Sequence, residues 1–330
     1  MCATRSTGSV SEYRNGRKQF RRVLQVSFEG VVILASPRSG TTLFQRILGM
    51  HPSLSGPPET NVLNSTARFL REHPVSSGFG VGVVSGMAFA GMSEDELHRR
   101  AADFALGLLA SLRQKTGKPL WVEKSPYDMF HVPVIARLCG DRVRYVWLVR
   151  HPLDVVCSIK EIFDAMGIYP PDFHEYVRRF PAPLEAFAHA WVDTNRSAQA
   201  LAKTWPDNVV TLRYEDLLDD APSELARILG FLGLDGDPAA LLEAALAMSG
   251  DVGLGDWKTY EKRTLTRQSV GRWKELQTPV LSRLVAIVGP LAMELGYTDL
   301  PVPEEITPSE ARRKYQLGRM VAHLKAGHKR

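Results

Sequence analysis

Cysteine is scarce in this chain. Cys2, Cys139 and Cys157 stand alone among 330 residues and form neither a paired spacing nor a metal-ligand cluster. Their scarcity argues against a disulfide framework and suits a reducing, cytoplasmic compartment. No apolar run approaches the ~20 residues a membrane-spanning helix needs, so no membrane partner is implied. The basic stretch from Met1 to Phe20 lacks an apolar segment behind it and does not read as a secretory signal. Internal repeats and low-complexity segments are also missing. What is present is a globular balance, 44% hydrophobic and 23% charged, with enough apolar residues for a sizeable core.

Positive charge is lacking where a nucleic-acid face would need it. The chain carries a net +5, but residues 1–22 hold +5 and residues 309–330 hold +6, which leaves residues 23–308 at −6. An acidic body excludes nucleic acid as the expected partner, because a binding face belongs to the folded part. The expected organisation is a basic leader over 1–22, one domain over 23–300 and a basic helical tail over 301–330. The tail offers a surface on which a second copy could pack, so a homo-oligomer is compatible with the sequence.

The β-branched run from Gly30 to Ser36 predicts a strand buried on both faces. Leu43, Phe44, Ile47 and Leu48 then carry the stripe of a helix over Thr41–Met50. His51 to Pro58 holds three prolines and a glycine and is not helical. Residues 74–92 are rich in Gly and Ser and predict a lid-like loop. Ser93-Glu94-Asp95-Glu96 is a capping box opening a helix to about Lys115. Further strands are predicted at Leu120–Glu123, Val143–Val149 and Asn208–Arg213, with helices between and after them. Alternation of this kind predicts an α/β fold, a single-domain parallel sheet flanked by helices.

The loop Ala35-Ser36-Pro37-Arg38-Ser39-Gly40-Thr41-Thr42 carries the most chemistry. Running from a buried strand into a helix, it points backbone N–H groups and the positive end of a helix dipole at one spot. Gly40 allows close approach, Ser39, Thr41 and Thr42 offer hydroxyls, and Arg38 adds a fixed charge. The ligand expected there is a phosphate- or sulfate-like group. An ordinary turn capped by Ser and Thr is the competing reading. The loop lacks the lysine after its glycine that a nucleotide-hydrolysing P-loop requires. A second anion clamp is expected at Arg150, delivered by the end of a strand, with Ser158 two turns into the next helix. Pairing of Arg150 with Asp154 is the alternative.

PRSGTT after a buried strand resembles the 5′-phosphosulfate loop of PAPS-dependent sulfotransferases (PAPS is 3′-phosphoadenosine-5′-phosphosulfate). The likeness continues through about residues 30–275. It implies a P-loop-like sulfotransferase fold and PAPS as donor, with no metal. In that reading Arg38, Ser39, Gly40, Thr41 and Thr42 hold the 5′ end, and Arg150 and Ser158 grip the 3′-phosphate. Tyr214 lies near the adenine, Arg272 reaches a phosphate and Trp273 packs nearby. Glu59, in an E-T pair like that of protein-tyrosine sulfotransferases, is the implied general base. Lys124 resembles a family lysine that assists the acceptor or the departing oxygen, with Arg38 supporting it.

Sulfuryl transfer needs in-line positioning, a base for the acceptor hydroxyl and cations for developing charge. The prolines ahead of Glu59 help hold its carboxylate, and Glu59 is favoured as base over His51, His73 and His131. The expected acceptor is a hydroxyl on a small molecule, as in natural-product biosynthesis, ahead of a peptide tyrosine and a carrier-tethered acyl chain. The stretch 164–183, with Tyr169, Pro170, Pro171, Phe173 and Tyr176, is expected to shape its pocket. An ATP-dependent P-loop kinase-like phosphotransferase and a non-catalytic nucleotide-binding protein are the rival readings.

Overall fold

A computed structural model describes residues 27–74, 80–247 and 265–301, together with parts of 309–320. The basic leader, most of the basic tail and the stretch 250–264 lie outside the described residues.

Five parallel strands organise the molecule. In chain order the elements are β1 (Gly30–Leu34), α1 (Thr41–Gly49), β2 (Leu54–Ser55), α2 (Val62–Phe69), β3 (His73–Pro74), β4 (Gly80–Val81), α3 (Val83–Phe89) and α4 (Glu94–Thr116). There follow β5 (Leu120–Glu123), α5 (Val132–Cys139), β6 (Val143–Val149), α6 (Pro152–Met166), α7 (Pro171–Arg179) and α8 (Pro183–Thr204). The chain continues through β7 (Val209–Arg213), α9 (Tyr214–Asp219), α10 (Ala221–Phe231), α11 (Pro238–Ala247) and α12 (Thr278–Glu294). The sheet runs β2-β5-β1-β6-β7, and β3 pairs with β4 in a separate antiparallel hairpin.

β1 is central because every one of its residues is apolar or glycine and buried, so it can pair on both edges. Its side chains alternate between two cores. Val32 and Leu34 join Tyr145, Trp147, Trp191 and Leu284 on one face, while Val31 and Ile33 join Phe44, Leu148, Leu217 and Leu225 on the other. Helices α2, α4, α5, α6, α8 and α12 feed the first core, and α1, α9, α10 and α11 the second. This is a three-layer α/β arrangement.

Ser93 caps α4 as its capping box predicts, accepting from the backbone of Glu96 at 3.2 Å. The Gly- and Ser-rich stretch is not a loop throughout. Residues 83–89 form α3, held by Glu72, which accepts from the backbone N–H groups of Val84 and Ser85 at 3.0 and 3.1 Å. Among the described residues no helix is long and apolar enough to cross a membrane.

Candidate active site

Parallel strands end on one side, and the residues singled out by sequence follow those ends directly. Loop 35–40 follows β1, Lys124 follows β5, Arg150 follows β6 and Tyr214 follows β7. Glu59 comes a few residues after β2. A cleft of about 660 Å³ opens over this edge of the sheet, where open α/β sheets carry their ligands. Arg38, Gly40, Thr41, Thr42, Glu59, Arg150, Ser158, Tyr214 and Arg272 all line it.

The loop itself has an unusual backbone. Arg38 has φ of 70° and Gly40 φ of 87°, so two nearly adjacent residues lie in the left-handed region. For arginine that conformation is strained. Gly40 also faces the Tyr214 ring, and a Cβ there would fall 2.3 Å from a ring carbon. Among the described residues no side chain caps the start of α1. The Ser39 hydroxyl is buried without a hydrogen-bond partner among the described residues. A loop with bent-back amides, an orphaned hydroxyl and an uncapped helix start suits an anion.

The second clamp is built onto the first. Arg38 Nε donates to Ser158 Oγ at 3.1 Å, and Arg150 donates to the Arg38 carbonyl at 2.5 Å. Arg150 also donates to the Ser269 carbonyl, and its guanidinium lies 5.0 Å from the centre of the Tyr214 ring. Arg150 is 5% exposed. Asp154 does not serve as its partner; its carboxylate instead accepts from the backbone of Gly271 and Arg272, both at 2.8 Å. That contact docks the turn carrying Arg272, which lines the cleft and pairs with Glu161 at 2.8 Å. Trp273 points the other way. It is buried and stacks on His151 with ring centres 5.5 Å apart.

Glu59 and Lys124 meet. Lys124 Nζ donates to Glu59 Oε1 at 2.5 Å and reaches Thr42 Oγ1 at 3.5 Å. Lys124 is no surface lysine, being 1% exposed, and it turns away from its neighbour Glu123. The three histidines are elsewhere. His51 is buried against the Asp235 carbonyl at 2.8 Å, His73 sits in the hairpin, and His131 pairs with Asp172 at 3.1 Å beside a second cavity.

Sequence reasoning missed several neighbours of the site. Thr60 donates to Glu123 at 2.7 Å, and Asn64 bridges Ser125 and Asp128 at 2.9 and 3.0 Å. The apolar walls of the cleft come from Tyr127, Ile162, Phe163 and Met166 on one side and Leu218, Leu246 and Leu265 on the other. The aromatics of 164–183 do not supply them. Phe173 is 1% exposed and packs edge-on against Phe163 and Phe187, and Tyr169 joins the same cluster. Among the described residues no group of His, Cys, Asp and Glu is arranged to hold a metal.

Comparison with known proteins gives this geometry a context. The model of the sulfotransferase family matches residues 30–238. The nodulation protein NoeE of Sinorhizobium fredii (strain NBRC 101917 / NGR234) is 26% identical over 277 residues, covering 80% of this chain but only 65% of its own length. The sulfotransferase domain from the curacin biosynthetic pathway superposes with a TM-score of 0.57 at 21% identity, covering 83% of this chain and 99% of that domain. The corresponding domain of the Synechococcus PCC 7002 olefin synthase gives 0.56 at 23% identity, covering 86% and 100%.

Proposed function

The chain belongs to the sulfotransferase family, and from that premise we propose that it moves a sulfuryl group from PAPS to a hydroxyl on a small, largely apolar molecule, with Glu59 as general base. Enzymes of this family use PAPS as donor. The residues present fit such a group. Among the described residues the buried Ser39 hydroxyl has no partner, and the left-handed backbone at Arg38 and Gly40 bends the loop into a cradle. Bound PAPS supplies an activated sulfuryl group; everything else falls to the chain.

In this reading the backbone of 38–42, with Arg38, Ser39, Thr41 and Thr42, holds the 5′ end. Arg150 and Ser158 hold the 3′-phosphate, Tyr214 lies beside the adenine, and Arg272 closes over the phosphates from the turn that Asp154 anchors. Trp273 acts through its stack on His151, steadying that turn. Glu59 accepts the acceptor hydroxyl's proton at Oε1 or Oε2, and Lys124 meets the negative charge that develops as the bridge oxygen departs. The observation that carries the proposal is the Glu59–Lys124 contact at 2.5 Å on the cleft wall, facing the anion loop. One small movement of the ammonium frees Glu59 for the acceptor hydroxyl and turns the Lys124 charge toward the departing oxygen.

An apolar acceptor is supported by the cleft walls, Ile162, Phe163, Met166 and Tyr127. The curacin and olefin synthase domains belong to natural-product assembly, which is the setting proposed here. The kinase reading has no support from the loop, which lacks its lysine.

Titration calorimetry with adenosine 3′,5′-bisphosphate, free of magnesium and beside ATP, tests the donor site. Arg38→Ala is expected to weaken binding by roughly 10- to 100-fold, the worth of a charge-assisted contact. Preference for ATP with magnesium would overturn the reading. Once an acceptor is in hand, Glu59→Gln should lower kcat by about 10²- to 10⁴-fold while leaving nucleotide binding intact.

A further inference from the structure

Glu123 and Lys124 are adjacent in sequence, yet their side chains part company. Lys124 goes to Glu59, and Glu123 takes the Thr60 hydroxyl on Oε2 at 2.7 Å. Glu123 is 0% exposed, and its Oε1 has no hydrogen-bond partner among the described residues. Asp128 is equally buried. Its Oδ1 accepts from Asn64, while its Oδ2 has no partner among the described residues. Three carboxyl groups, Glu59, Glu123 and Asp128, therefore lie close to one another, and the Lys124 ammonium is held by Glu59.

A buried carboxylate without a cation or a full set of donors is pushed toward its neutral form. We propose that Glu123 works as a neutral carboxylic acid, a positioning residue that fixes Thr60, and so the Glu59 turn, while leaving the Lys124 charge to Glu59. The proposal rests on the reading of Glu59 and Lys124 as the reacting pair. Burial, and then the charge of Asp128, raise the pKa of Glu123 to about 8, against the pull of Thr60 and Lys124. Asp128 is raised to about 7, again mainly by burial, but the Asn64 amide favours its ionised form. Burial thus pushes both carboxyls toward their neutral forms.

The groups facing Glu123 come from every side. Glu59 and Thr60 approach from the loop before α2, Lys124 from its own strand end and Asp128 from the turn Pro126–His131. Cys139 approaches from α5, its thiol pushed up to about 12 by burial and so neutral. Ionising Glu123 would place a second carboxylate beside Lys124 and divide the ammonium between two partners. Activity would then fall on the alkaline side.

The decisive measurement is the infrared carboxylic-acid C=O band of the full chain at neutral pH, for wild type, Glu123→Gln, Asp128→Asn and Glu59→Gln. Wild type is expected to show a buried-acid component bleached as pH rises through about 8 and missing in Glu123→Gln, beside one bleached through about 7 and missing in Asp128→Asn, both kept in Glu59→Gln. No component bleached through about 8 in wild type, or one that survives in Glu123→Gln, overturns the proposal. The rate of 4-nitrophenol release from 4-nitrophenyl sulfate with adenosine 3′,5′-bisphosphate as sulfuryl acceptor supplies the second arm. Glu123→Gln should stay within about threefold of wild type and lose the alkaline fall, whereas Glu123→Ala loses at least about tenfold. Equal losses in the Gln and Ala variants would also overturn it. A Glu59→Gln enzyme that sulfates an aliphatic alcohol acceptor at the wild-type rate would sink the base assignment instead, and the infrared result would still decide whether Glu123 is neutral.

Discussion

Gly40 joins two constraints in one residue. Its φ of 87° and its approach to the Tyr214 ring leave no room for a side chain, so the loop and the Tyr214 side of the cleft are set by the same atom's absence. Gly40→Ala meets both. The left-handed conformation alone costs about 1–2 kcal/mol in a residue with a Cβ, and Tyr214 must also move. Tyr214 is held from its far side by the Ser269 hydroxyl at 3.2 Å and by Arg150 over its face, so it cannot simply swing away. The loop is the part that gives. Calorimetry with adenosine 3′,5′-bisphosphate is expected to show at least about tenfold weaker binding in Gly40→Ala, with the melting temperature moving by only a few degrees. Unchanged affinity would mean that the loop amides do not contact the nucleotide.

At the scale of elements, the aromatic cluster between α6, α7 and α8 sets one wall of the cleft without lining it. Phe163, Phe173 and Phe187 meet edge-to-face with centres 5.0 to 5.7 Å apart, and only Phe163 reaches the cleft. Phe187 is 1% exposed. Phe187→Ala should cost about 3–5 kcal/mol in chemical denaturation, because packed neighbours cannot collapse into the space. A loss below ~1 kcal/mol would mean the cluster is loosely packed. The same region shows where sequence reading stops. Tyr169 and Phe173 looked like pocket residues because aromatics in a proline-bearing stretch have no periodicity to give their direction. β2 was invisible for a related reason: Leu54-Ser55 is too short for any pattern and exists only by pairing with β5. α9 has too few residues for a helical period and begins directly at the strand end. β1, β5 and β6 were legible, since β-branched and aromatic runs buried on both faces leave few alternatives, and the edge strand β7 by its short β-branched run alone.

Across the whole molecule, the side of the sheet was readable and the pairings were not. Parallel strands send their carboxyl ends one way, so any polar residue just after a strand belongs to one edge, and Arg38, Lys124, Arg150 and Tyr214 all obey that rule. Thr60 and Glu123 lie 63 residues apart, and nothing local joins a hydroxyl in one loop to a carboxyl at the end of a distant strand. The stability of the folded chain should carry the trace of that join. Glu123 has a pKa of about 8 when folded, raised by burial from the ordinary 4.5. Between those values the folded state holds a proton that the unfolded chain has lost. Stability from this group is therefore full below about 4.5 and declines as pH rises toward about 8. One such group contributes a slope of up to about 1.4 kcal/mol per pH unit. Asp128, raised in the same direction to about 7, adds to it over a narrower window. Denaturant titrations across this range are expected to show stability decreasing with pH, and Glu123→Gln, which has no proton to lose, should flatten the slope. A variant that keeps the full wild-type slope would place the titrating proton on another residue. Asp128→Asn, measured beside it, would show whether that residue is its buried neighbour.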